Sequence, residues 1–386
     1  MSKNKIKDNL PSCGEWKCAT LSDVLSTLKN GFNCKQDKHG IGDRVSRIES
    51  ISSGLFNLDR VGFTSIPDKE KDSFRLRLGD ILFSHINSPI HVGKTAVFDL
   101  KEEVYHGVNL LLMRPTKVIS PKYLSHFLNF LYLKGYWKGI CKQSVNQASV
   151  NQQDIGRVSI MFPLDISEQE RIVAILDEAF EGIATAKANT EDSLRSARDI
   201  FVNYLNSLRG TKTILGAFVQ VRTGKLDANA AVENGQYPFF TCSREASAIN
   251  SYAFECDAIL LAGNNAVGDF NVKHYTGKFN AYQRTYVITV ENQNILASRY
   301  LYYQILKSMK SFKEQSVGVG TKFLKIGMIN NLKIVLPSIG EQKEIVGILD
   351  CLLDATSKLE FEYEKKLSAL EALKQSLLHQ AFSGNL

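Results

Sequence analysis

Residues 168–177 read EQERIVAILD, and residues 341–350, 173 positions further along, read EQKEIVGILD. Eight of the ten positions are identical or apolar in both stretches. A short apolar run ending in proline precedes each of them, at residues 158–163 and 332–337. A repeat of this kind indicates that the chain holds two diverged copies of one structural unit.

Weaker similarities follow the same order in both copies. Tyr123-Leu124 is matched by Tyr300-Leu301, and Gln-Ser-Val occurs at residues 143–145 and again at 315–317. Chance can supply any one short match, but an ordered series is far less probable. We therefore place the two copies at about residues 15–209 and 210–386.

The first part of each copy is mixed, because short β-like runs alternate with turn residues and lead into a helix-like stretch. The pattern predicts an α+β protein with two globules of similar plan, at residues 15–163 and 210–337, after a tail of residues 1–14. The runs that carry this prediction lie at residues 79–83, 96–98, 109–113, 121–136, 258–262, 285–290 and 298–312.

The second part of each copy, residues 164–209 and 338–386, has apolar residues on a heptad grid, which is typical of a coiled-coil helix. A helix of about 42 residues spans roughly 60 Å. We predict that the two helices pair antiparallel and separate the two globules; the alternative is that each helix packs on its own globule. The predicted pairing residues are Val173, Leu176, Phe180, Ile183, Leu194, Phe201, Val346, Leu349, Leu353, Leu367, Leu370 and Leu377.

The charge is unevenly distributed along the chain. The protein has 47 basic and 40 acidic residues, a net charge of +7. Residues 164–209 hold 5 basic and 9 acidic residues, and residues 339–386 hold 5 and 8, so the rest carries a net +14. Basic globules favour a polyanionic partner, and double-stranded DNA is the leading candidate; a solvated lysine-rich surface is the alternative.

The candidate DNA contacts are basic and amide side chains in predicted loops. Arg and Lys suit guanine and phosphate, whereas Asn and Gln suit adenine. Residues 143–153 are rich in both amides. The candidates are Lys35, Lys38, Arg44, Ser84, His85, Asn87, Lys94, Lys142, Gln143, Asn146, Gln147, Asn151, Arg222, Lys225, Arg244, Asn264, Asn265, Lys273, Arg284, Thr321 and Lys322.

The sequence contains no complete motif that is typical of catalysis, metal binding or a membrane span. The seven cysteines are dispersed without a CxxC pair, no metal-ligand spacing of histidines occurs, and no apolar run is long enough for a membrane span. We therefore expect a cytoplasmic protein with reduced thiols and no metal. Gly93-Lys94-Thr95 resembles the end of a phosphate-binding loop, but Pro89 removes one N–H that such a loop needs.

The chain resembles the specificity subunits of Type I restriction–modification enzymes over nearly its whole length. The resemblance rests on the two proline-then-Glu-Gln junctions, the IV.ILD helix starts, the opening EWKCATLSDV of residues 15–24 and the final LLHQAFSGNL of residues 377–386. The first junction has one residue more between proline and Glu-Gln than the second.

The resemblance implies that each globule is a target-recognition domain that reads half of a split, asymmetric DNA site. The helices would set the unread spacer and dock two methyltransferase subunits. Those partners would bring S-adenosylmethionine and flip the target adenine. A restriction–translocation subunit with ATP and Mg would join for cleavage, and this chain would hold no cofactor and have no enzymatic activity.

Other interpretations stay open at this point. The chain could be a DNA-binding coiled-coil regulator that works without a methyltransferase. It could be an ATP-dependent enzyme that uses Gly93-Lys94-Thr95. Within the family, it could be an orphan subunit or one that exchanges its recognition domains.

Overall fold

The computed structural model describes residues 15–37, 40–144 and 147–386. The chain folds as two compact units. Unit 1 comprises the chain up to Asn189 together with Lys366–Leu386, and unit 2 comprises Thr190–Lys365. The predicted tail, residues 1–14, lies outside the described residues. Each unit holds one mixed globule and segments of two long helices.

The globule of unit 1 mixes strands with short helices. Its helices are α1 (Leu21–Val24), α2 (Asp68–Phe74), α3 (Pro121–Leu133), α4 (Tyr136–Ile140) and α5 (Gln152–Gly156). Its strands are β1 (Trp16–Thr20), β2 (Leu25–Asn30), β3 (Asp43–Val45), β4 (Gly62–Thr64), β5 (Ile81–Phe83), β6 (Ile86–Asn87), β7 (Thr95–Val97), β8 (Leu111–Pro115), β9 (Lys142–Ser144), β10 (Gln147–Ser149) and β11 (Ser159–Pro163).

An antiparallel sheet in the order β2-β8-β5-β7 forms the centre of this globule. All three residues of β5 are buried, so this strand is apolar on both faces. Helix α3 buries Tyr123, Leu124, Phe127 and Leu128, which share one face at helical spacing. The helix-like stretch at residues 121–136 is broken because Gly135 takes a left-handed conformation, with φ of 71°.

Unit 2 has the same kinds of element. Its helices within the globule are α7 (Ser298–Lys307), α8 (Met309–Gln315) and α9 (Ile326–Asn330). Its strands are β12 (Thr211–Ile214), β13 (Val219–Thr223), β14 (Tyr237–Phe240), β15 (Ser247–Ile249), β16 (Phe254–Ala262), β17 (Asn264–Asn265), β18 (Val272–Ala281), β19 (Thr285–Val290), β20 (Lys322–Phe323) and β21 (Lys333–Leu336).

The main sheet of unit 2 runs in the order β13-β19-β16-β18-β14-β15. All its pairs are antiparallel except that β14 runs parallel to β18. Helix α7 buries Tyr300, Leu301, Gln304 and Ile305 on one face. The stretch at residues 298–312 forms two helices rather than one, and Ser308 separates them.

The two globules share a plan at their base. A short antiparallel pair joins the start and end of each globule, β1 with β11 in unit 1 and β12 with β21 in unit 2. Tyr123 donates its hydroxyl to the carbonyl of Met161 at 3.1 Å, and Tyr300 donates to Val335 at 2.8 Å. The prediction of an α+β protein with two globules of similar plan is confirmed.

Two long helices follow the globules, α6 (Ile166–Ser207) and α10 (Ile339–Ser383). Asp165 starts α6, since its Oδ1 accepts from the backbone N–H of Ser167 at 2.9 Å. At the start of α10, Glu341 Oε2 accepts from the N–H and the hydroxyl of Ser338, at 2.9 and 2.6 Å. Each acidic first turn therefore caps its own helix.

Within each unit the two helices run antiparallel. In unit 1, Arg171 Nη2 donates to the Leu386 carbonyl at 2.9 Å, and Lys374 Nζ lies 5.0 Å from the Phe180 ring centroid. In unit 2, Arg198 Nε lies 2.7 Å from Glu360 Oε1. Glu360 and Lys374, two polar residues of α10, therefore each have a partner on α6.

The residues of the predicted seam are the less exposed ones along both helices. Val173 and Leu176 lie in one apolar cluster with Leu378 of α10 and Tyr123 of the globule. Seam residues near the globules thus contact the other helix and the globule together. Val173, Leu176 and Leu349 are buried, and the half-buried ones are Phe180, Ile183, Leu194, Phe201, Val346, Leu353, Leu367, Leu370 and Leu377.

Candidate nucleic-acid interface

In unit 1 two polar segments, residues 84–94 and the described residues 142–144 and 147–151, meet in the small sheet β6-β10-β9. Asn87 in β6 and Gln143 in β9 pair with the same residue of β10. Lys142, Gln143 and Gln147 are exposed on the β9–β10 hairpin. We call these two segments the unit 1 loop site. It presents amide and lysine side chains to solvent.

Ser84 and His85, which were predicted as DNA contacts, point into the protein. Their exposed fractions are 1% and 6%. The chain continues from the buried strand β5, so these two side chains stay in the core. Burial lowers the pKa of His85 to about 4. The imidazole is therefore neutral near pH 7. Because both side chains are buried, the structure does not support the prediction that they contact DNA.

Lys94 also turns inward, because its Nζ donates to the Ser52 carbonyl at 3.0 Å. The loop around Gly93-Lys94-Thr95 therefore differs from a phosphate-binding loop. The N–H groups of His91 and Val92 donate to the Ser88 carbonyl, and that of Gly93 donates within the same loop. Since these N–H groups are already bonded, they cannot cradle a phosphate.

The remaining candidates of unit 1 lie apart from that hairpin or outside the described residues. Lys35 and Arg44 are exposed beside the β3–β4 pair. Asn151 is exposed, but its side chain caps α5 by accepting from the Asp154 N–H at 2.8 Å. Lys38 and Asn146 lie outside the described residues.

In unit 2 four segments converge, residues 241–244, 263–273, 282–284 and 316–323, and we call them the unit 2 loop site. Strands β17 and β20 pair Asn265 with Lys322. The Arg284 guanidinium lies over the Phe323 ring, 5.2 Å from its centroid. Thr321 directly precedes β20. The structure thus brings Asn264, Asn265, Arg284, Thr321 and Lys322 together.

Arg244 and Lys273 belong to the same place. Arg244 Nη2 lies 2.8 Å from Asp269 Oδ2, and Lys273 Nζ donates to the Ser243 carbonyl at 2.6 Å. Lys225 is exposed between Gly224 and Leu226, whose backbone groups bond to Thr285 and Gln283 on either side of Arg284. Arg222 lies elsewhere, over the Phe254 ring at 5.8 Å from its centroid.

Asn87 and Asn265 occupy equivalent places, since each pairs with the strand before α5 or α9. The Oδ1 of Asn87 accepts from the Ser88 N–H at 2.8 Å, and its Nδ2 donates to Ser84 Oγ at 3.1 Å. The Oδ1 of Asn265 accepts from Val267 and Asp269 N–H at 2.9 and 3.0 Å. Both oxygens shape the following turn, so these residues are poor base readers.

The repeated Glu-Gln motif has a function that sequence reasoning missed. Gln169 is fully buried; its Oε1 accepts from the Ser120 N–H at 2.7 Å, and its Nε2 donates to the carbonyls of Val118 and Pro163 at 3.0 and 2.8 Å. Ser120 is the residue that caps α3. One side chain on α6 thereby binds three backbone groups of the unit 1 globule and its junction.

Gln342 repeats this arrangement in unit 2. It is fully buried, accepts from the Ala297 N–H at 2.9 Å, and donates to the carbonyls of Ile295 and Pro337 at 2.8 and 3.0 Å. We call Gln169 and Gln342 the docking glutamines. Their repetition at the same place in both copies was the available signal.

The aspartate that ends each repeat makes a second contact with the same helix. Asp177 lies 2.9 Å from Lys122 Nζ and 2.8 Å from His126 Nε2, both on α3. The hydrogen bond from His126 is the main cause that lowers the pKa of Asp177 to about 2, against the opposing effect of burial.

The matching aspartate in unit 2 has different partners. Asp350 accepts from Arg299 Nε at 2.8 Å and from the Tyr303 hydroxyl at 2.5 Å, both on α7. Burial alone would raise the pKa of Asp350, but the bonds from Tyr303 and Arg299 outweigh it and lower the pKa. Each globule is thus fixed to its helix by one glutamine and one aspartate.

Among the residues that the structure describes, no group of three or more His, Cys, Asp or Glu side chains is placed to hold a metal ion. The six described cysteines are free thiols. Within the same residues, no helix combines the length and the apolar character that crossing a membrane requires.

Comparison with known proteins agrees with this geometry. The family model described as "Type I restriction modification DNA specificity domain" matches residues 14–194 and 213–369. The two matches cover both globules and parts of both long helices. They confirm the resemblance noted in the sequence.

Individual relatives match different parts of the chain. The Type I restriction enzyme EcoDI specificity subunit of Escherichia coli is 42% identical over 176 residues, which is 45% of this chain and 38% of that protein. The StySPI specificity subunit of Salmonella potsdam is 23% identical and covers 96% and 89% of the two chains. This chain therefore matches less than half the length of its EcoDI relative.

Among solved structures, a chain of a type I R-M system superposes with a TM-score of 0.73 at 16% identity, covering 98% of this chain and 100% of that one. At this identity the superposition shows that the fold is shared.

Proposed function

We propose that this chain, which belongs to the Type I restriction modification DNA specificity domain family, selects the DNA sequence that a methyltransferase modifies. Each unit reads one half of a bipartite site through its loop site. One observation carries this proposal. The docking glutamines hold the two globules by equivalent contacts, whereas the loop sites of the two globules have different side chains.

The side chains of the two loop sites favour different bases. Unit 1 offers the exposed amides Gln143 and Gln147, which suit adenine, whereas unit 2 offers Arg244, Arg284 and Lys322, which suit guanine and phosphate. Because the two readers differ, the two half-sites differ, and the recognised site is asymmetric.

The long helices support a second part of the proposal. Apart from their seam, α6 and α10 present a largely exposed, acidic surface. We propose that this surface docks two methyltransferase subunits and that the helix length sets the number of unread base pairs between the half-sites. S-adenosylmethionine belongs to those partners, and ATP and Mg to a restriction–translocation subunit. This chain contributes recognition and no catalysis.

A long-read methylome tests the proposal. The chain is co-expressed with the methyltransferase encoded beside it, and a strain without the chain is the control. We expect chain-dependent N6-methyladenine at a gapped, asymmetric motif. A methyltransferase that binds the chain and yet gives no chain-dependent methylation would contradict the proposal.

Two variants assign the half-sites. Gln143→Ala should relax or lower methylation at one half of the motif, and Arg284→Ala at the other half, since a good base contact discriminates by about 1–3 kcal/mol. Lys101→Ala, an exposed lysine of unit 1 outside the loop site, is the matched control. If both variants change the same half-site, the division between the two units is wrong.

A stand-alone DNA-binding regulator is the second candidate function, and family membership does not favour it. Such a regulator would bind its site tightly without a methyltransferase. Binding measured on the full chain, with and without its partner, separates the two.

A further inference from the structure

Unit 2 contains a cleft that lies outside the unit 2 loop site. Its volume is about 790 Å³, and it lies between the β12–β21 pair, helices α7 and α8, and the short helix α9. Phe312, Met328 and Leu332 form part of its floor. Such a cleft is large enough for several groups of a ligand or a partner.

The charged residues that line this cleft are all lysines. Lys212, Lys307, Lys325 and Lys333 line it, and no carboxylate is among the lining residues. Lys212, Lys325 and Lys333 are exposed and have no ion-pair partner among the described residues. A cluster of like charges without counter-charges destabilises the free protein and favours an anionic ligand.

Lys307, which also lines the cleft, is repelled by neighbouring cations. Its Nζ donates to the Leu205 carbonyl at 3.1 Å. Burial lowers the pKa of Lys307, and the nearby charges of Arg209 and Lys212 lower it further. Four lysines therefore line the cleft, and the charge of Arg209 acts on one of them, Lys307.

Unit 1 does not repeat these four lysines, although its globule has the same plan. The tyrosine contacts to Met161 and Val335 and the pairing of β1–β11 and β12–β21 define the equivalent positions. The four lysines correspond to uncharged residues, of which Phe130 is buried. In the order of the lysines above, the counterparts are Cys18, Phe130, Asn151 and Ser159.

The cleft continues from the unit 2 loop site. Lys322 belongs to β20 and pairs with Asn265, and Lys325 follows three residues later at the start of α9. Helix α8, which lines the cleft, ends at Gln315 and leads directly into residues 316–323 of the loop site. A backbone that passes over the loop site therefore reaches the rim of the cleft.

We propose that this cleft binds phosphate groups of the DNA backbone next to the bases that unit 2 reads. The inference rests on the proposed function and deepens it, since it assigns unit 2 a contact with DNA through lysines that unit 1 does not repeat. A lysine that contacts a phosphate acts as a flexible point charge, and such a contact carries no sequence information. The cleft increases the affinity of unit 2 for DNA and does not change which bases are recognised.

DNA fits the cleft better than an acidic protein segment does, because the cationic rim is continuous with the loop site. An acidic segment would not need that continuity. The two ligands also give different results in one experiment. Loss of a phosphate contact lowers the affinity for DNA and makes its salt dependence shallower, whereas loss of a contact with a protein segment does neither.

The test compares the full chain, purified with its methyltransferase subunits, with a variant that carries Lys212→Ala, Lys325→Ala and Lys333→Ala. Lys307 is kept because its stem packs in the cleft. The control carries Lys69→Ala, Lys101→Ala and Lys117→Ala, three exposed lysines of unit 1, and so has the same net charge. Dissociation constants are measured over a salt series, on duplexes with and without the methylated motif.

The cleft variant should bind both duplexes more weakly by a similar factor. The slope of log affinity against log salt should become shallower by about 2–3, since each lost phosphate contact contributes about 0.9. Its methylation motif should stay that of the wild type. Unchanged melting behaviour of both variants separates the effect from misfolding.

Two results would overturn the proposal. One is a salt slope equal to that of the control variant. The other is unchanged DNA binding with loss of the methyltransferase subunits, which would make the cleft a docking site for an acidic protein surface. Failure of the proposed function itself looks different: the wild-type chain would then direct no methylation.

Discussion

The two units repeat the contacts that hold a globule and differ in the side chains that face solvent. Gln169 and Gln342 bind equivalent backbone groups, whereas the loop sites carry amides in unit 1 and arginines in unit 2. The comparison teaches that the residues which hold each globule on its helices are separate from the side chains which that globule presents to solvent. Changes to the first set should act on stability, and changes to the second on sequence preference.

The docking glutamines give the largest expected effect. Gln169→Leu or Gln342→Leu removes the side-chain partner of three backbone groups, most of them part-buried, and each such group costs about 1–2 kcal/mol. We expect a loss of about 3–6 kcal/mol in the free energy of unfolding of the unit concerned. Hydrogen exchange of the affected globule, compared with the other unit, measures it.

Gln375→Leu, on an exposed position of α10, is the matched control and should change stability by less than about 0.5 kcal/mol. A docking variant that unfolds no more easily than this control would break the comparison.

Acid should weaken unit 1 more than unit 2. Burial lowers the pKa of His85 and of His106 to about 4. The unfolded chain binds these protons near pH 6.5 and the folded unit only near pH 4, so stability falls as pH drops through that window. Each histidine should cost about 2 kcal/mol at pH 5.

Hydrogen exchange of β5 and β8 between pH 7 and pH 5, corrected for intrinsic exchange, measures this loss. His106→Gln should reduce it, because a glutamine amide can donate to the Leu110 carbonyl, which His106 now contacts at 3.0 Å, without taking up a proton. In unit 2, half-buried His274 has a carboxylate partner, Asp257, at 2.6 Å. Equal acid sensitivity of the two units would contradict the prediction.

We expect a smaller effect on stability from the contacts of Asp177 and Asp350 than from those of the docking glutamines. Asp177 and Asp350 are 41% and 42% exposed, so solvent screens both contacts. Double-mutant cycles of Asp177 with His126 and of Asp350 with Tyr303 should each give a coupling of about 1 kcal/mol. Because the pKa of Asp177 is lowered to about 2, its contribution is present above pH 4 and is lost as pH falls towards 2.

A coupling near zero in unit 1 and about 1 kcal/mol in unit 2 would show that only the contact between Asp350 and Tyr303 helps to hold its globule. Chemical denaturation of the four variants of each cycle at pH 7 supplies the numbers.

The smallest effect is expected in the helix seam. Arg198 is 58% and Glu360 36% exposed at their ion pair. Arg198→Ala should lower stability by about 0.3–0.5 kcal/mol, an effect that 0.5 M salt removes. Lys366→Ala, at an exposed position of α10, serves as the control. A loss above about 1 kcal/mol would mean that this pair stabilises the seam more than exposed pairs do.

The sequence predicted the features that depend on periodicity. Heptads and the repeated Glu-Gln motif indicated two long helices after two mixed globules, because a coiled-coil seam must repeat along the chain. The antiparallel course within each unit agrees with contacts such as Arg198 with Glu360.

The candidate site was predicted less well, because whether a loop side chain reaches solvent depends on tertiary packing. Ser84 and His85 look like polar loop residues in the sequence, yet they continue a strand that is buried on both faces. Asn87 and Asn265 are amides in loops, yet their oxygens bond their own backbone. No local pattern distinguishes such residues from base readers.

The docking glutamines also bear on how such a protein can evolve. Each one bonds only to main-chain N–H and carbonyl groups, which every globule of this shape presents whatever its side chains. Substitutions in a globule therefore need no compensating change at its docking glutamine, whereas the contacts of Asp177 and Asp350 depend on side chains of α3 and α7. The glutamine contact does not depend on which side chains a globule exposes to solvent, so one globule can change in sequence while the other keeps its own.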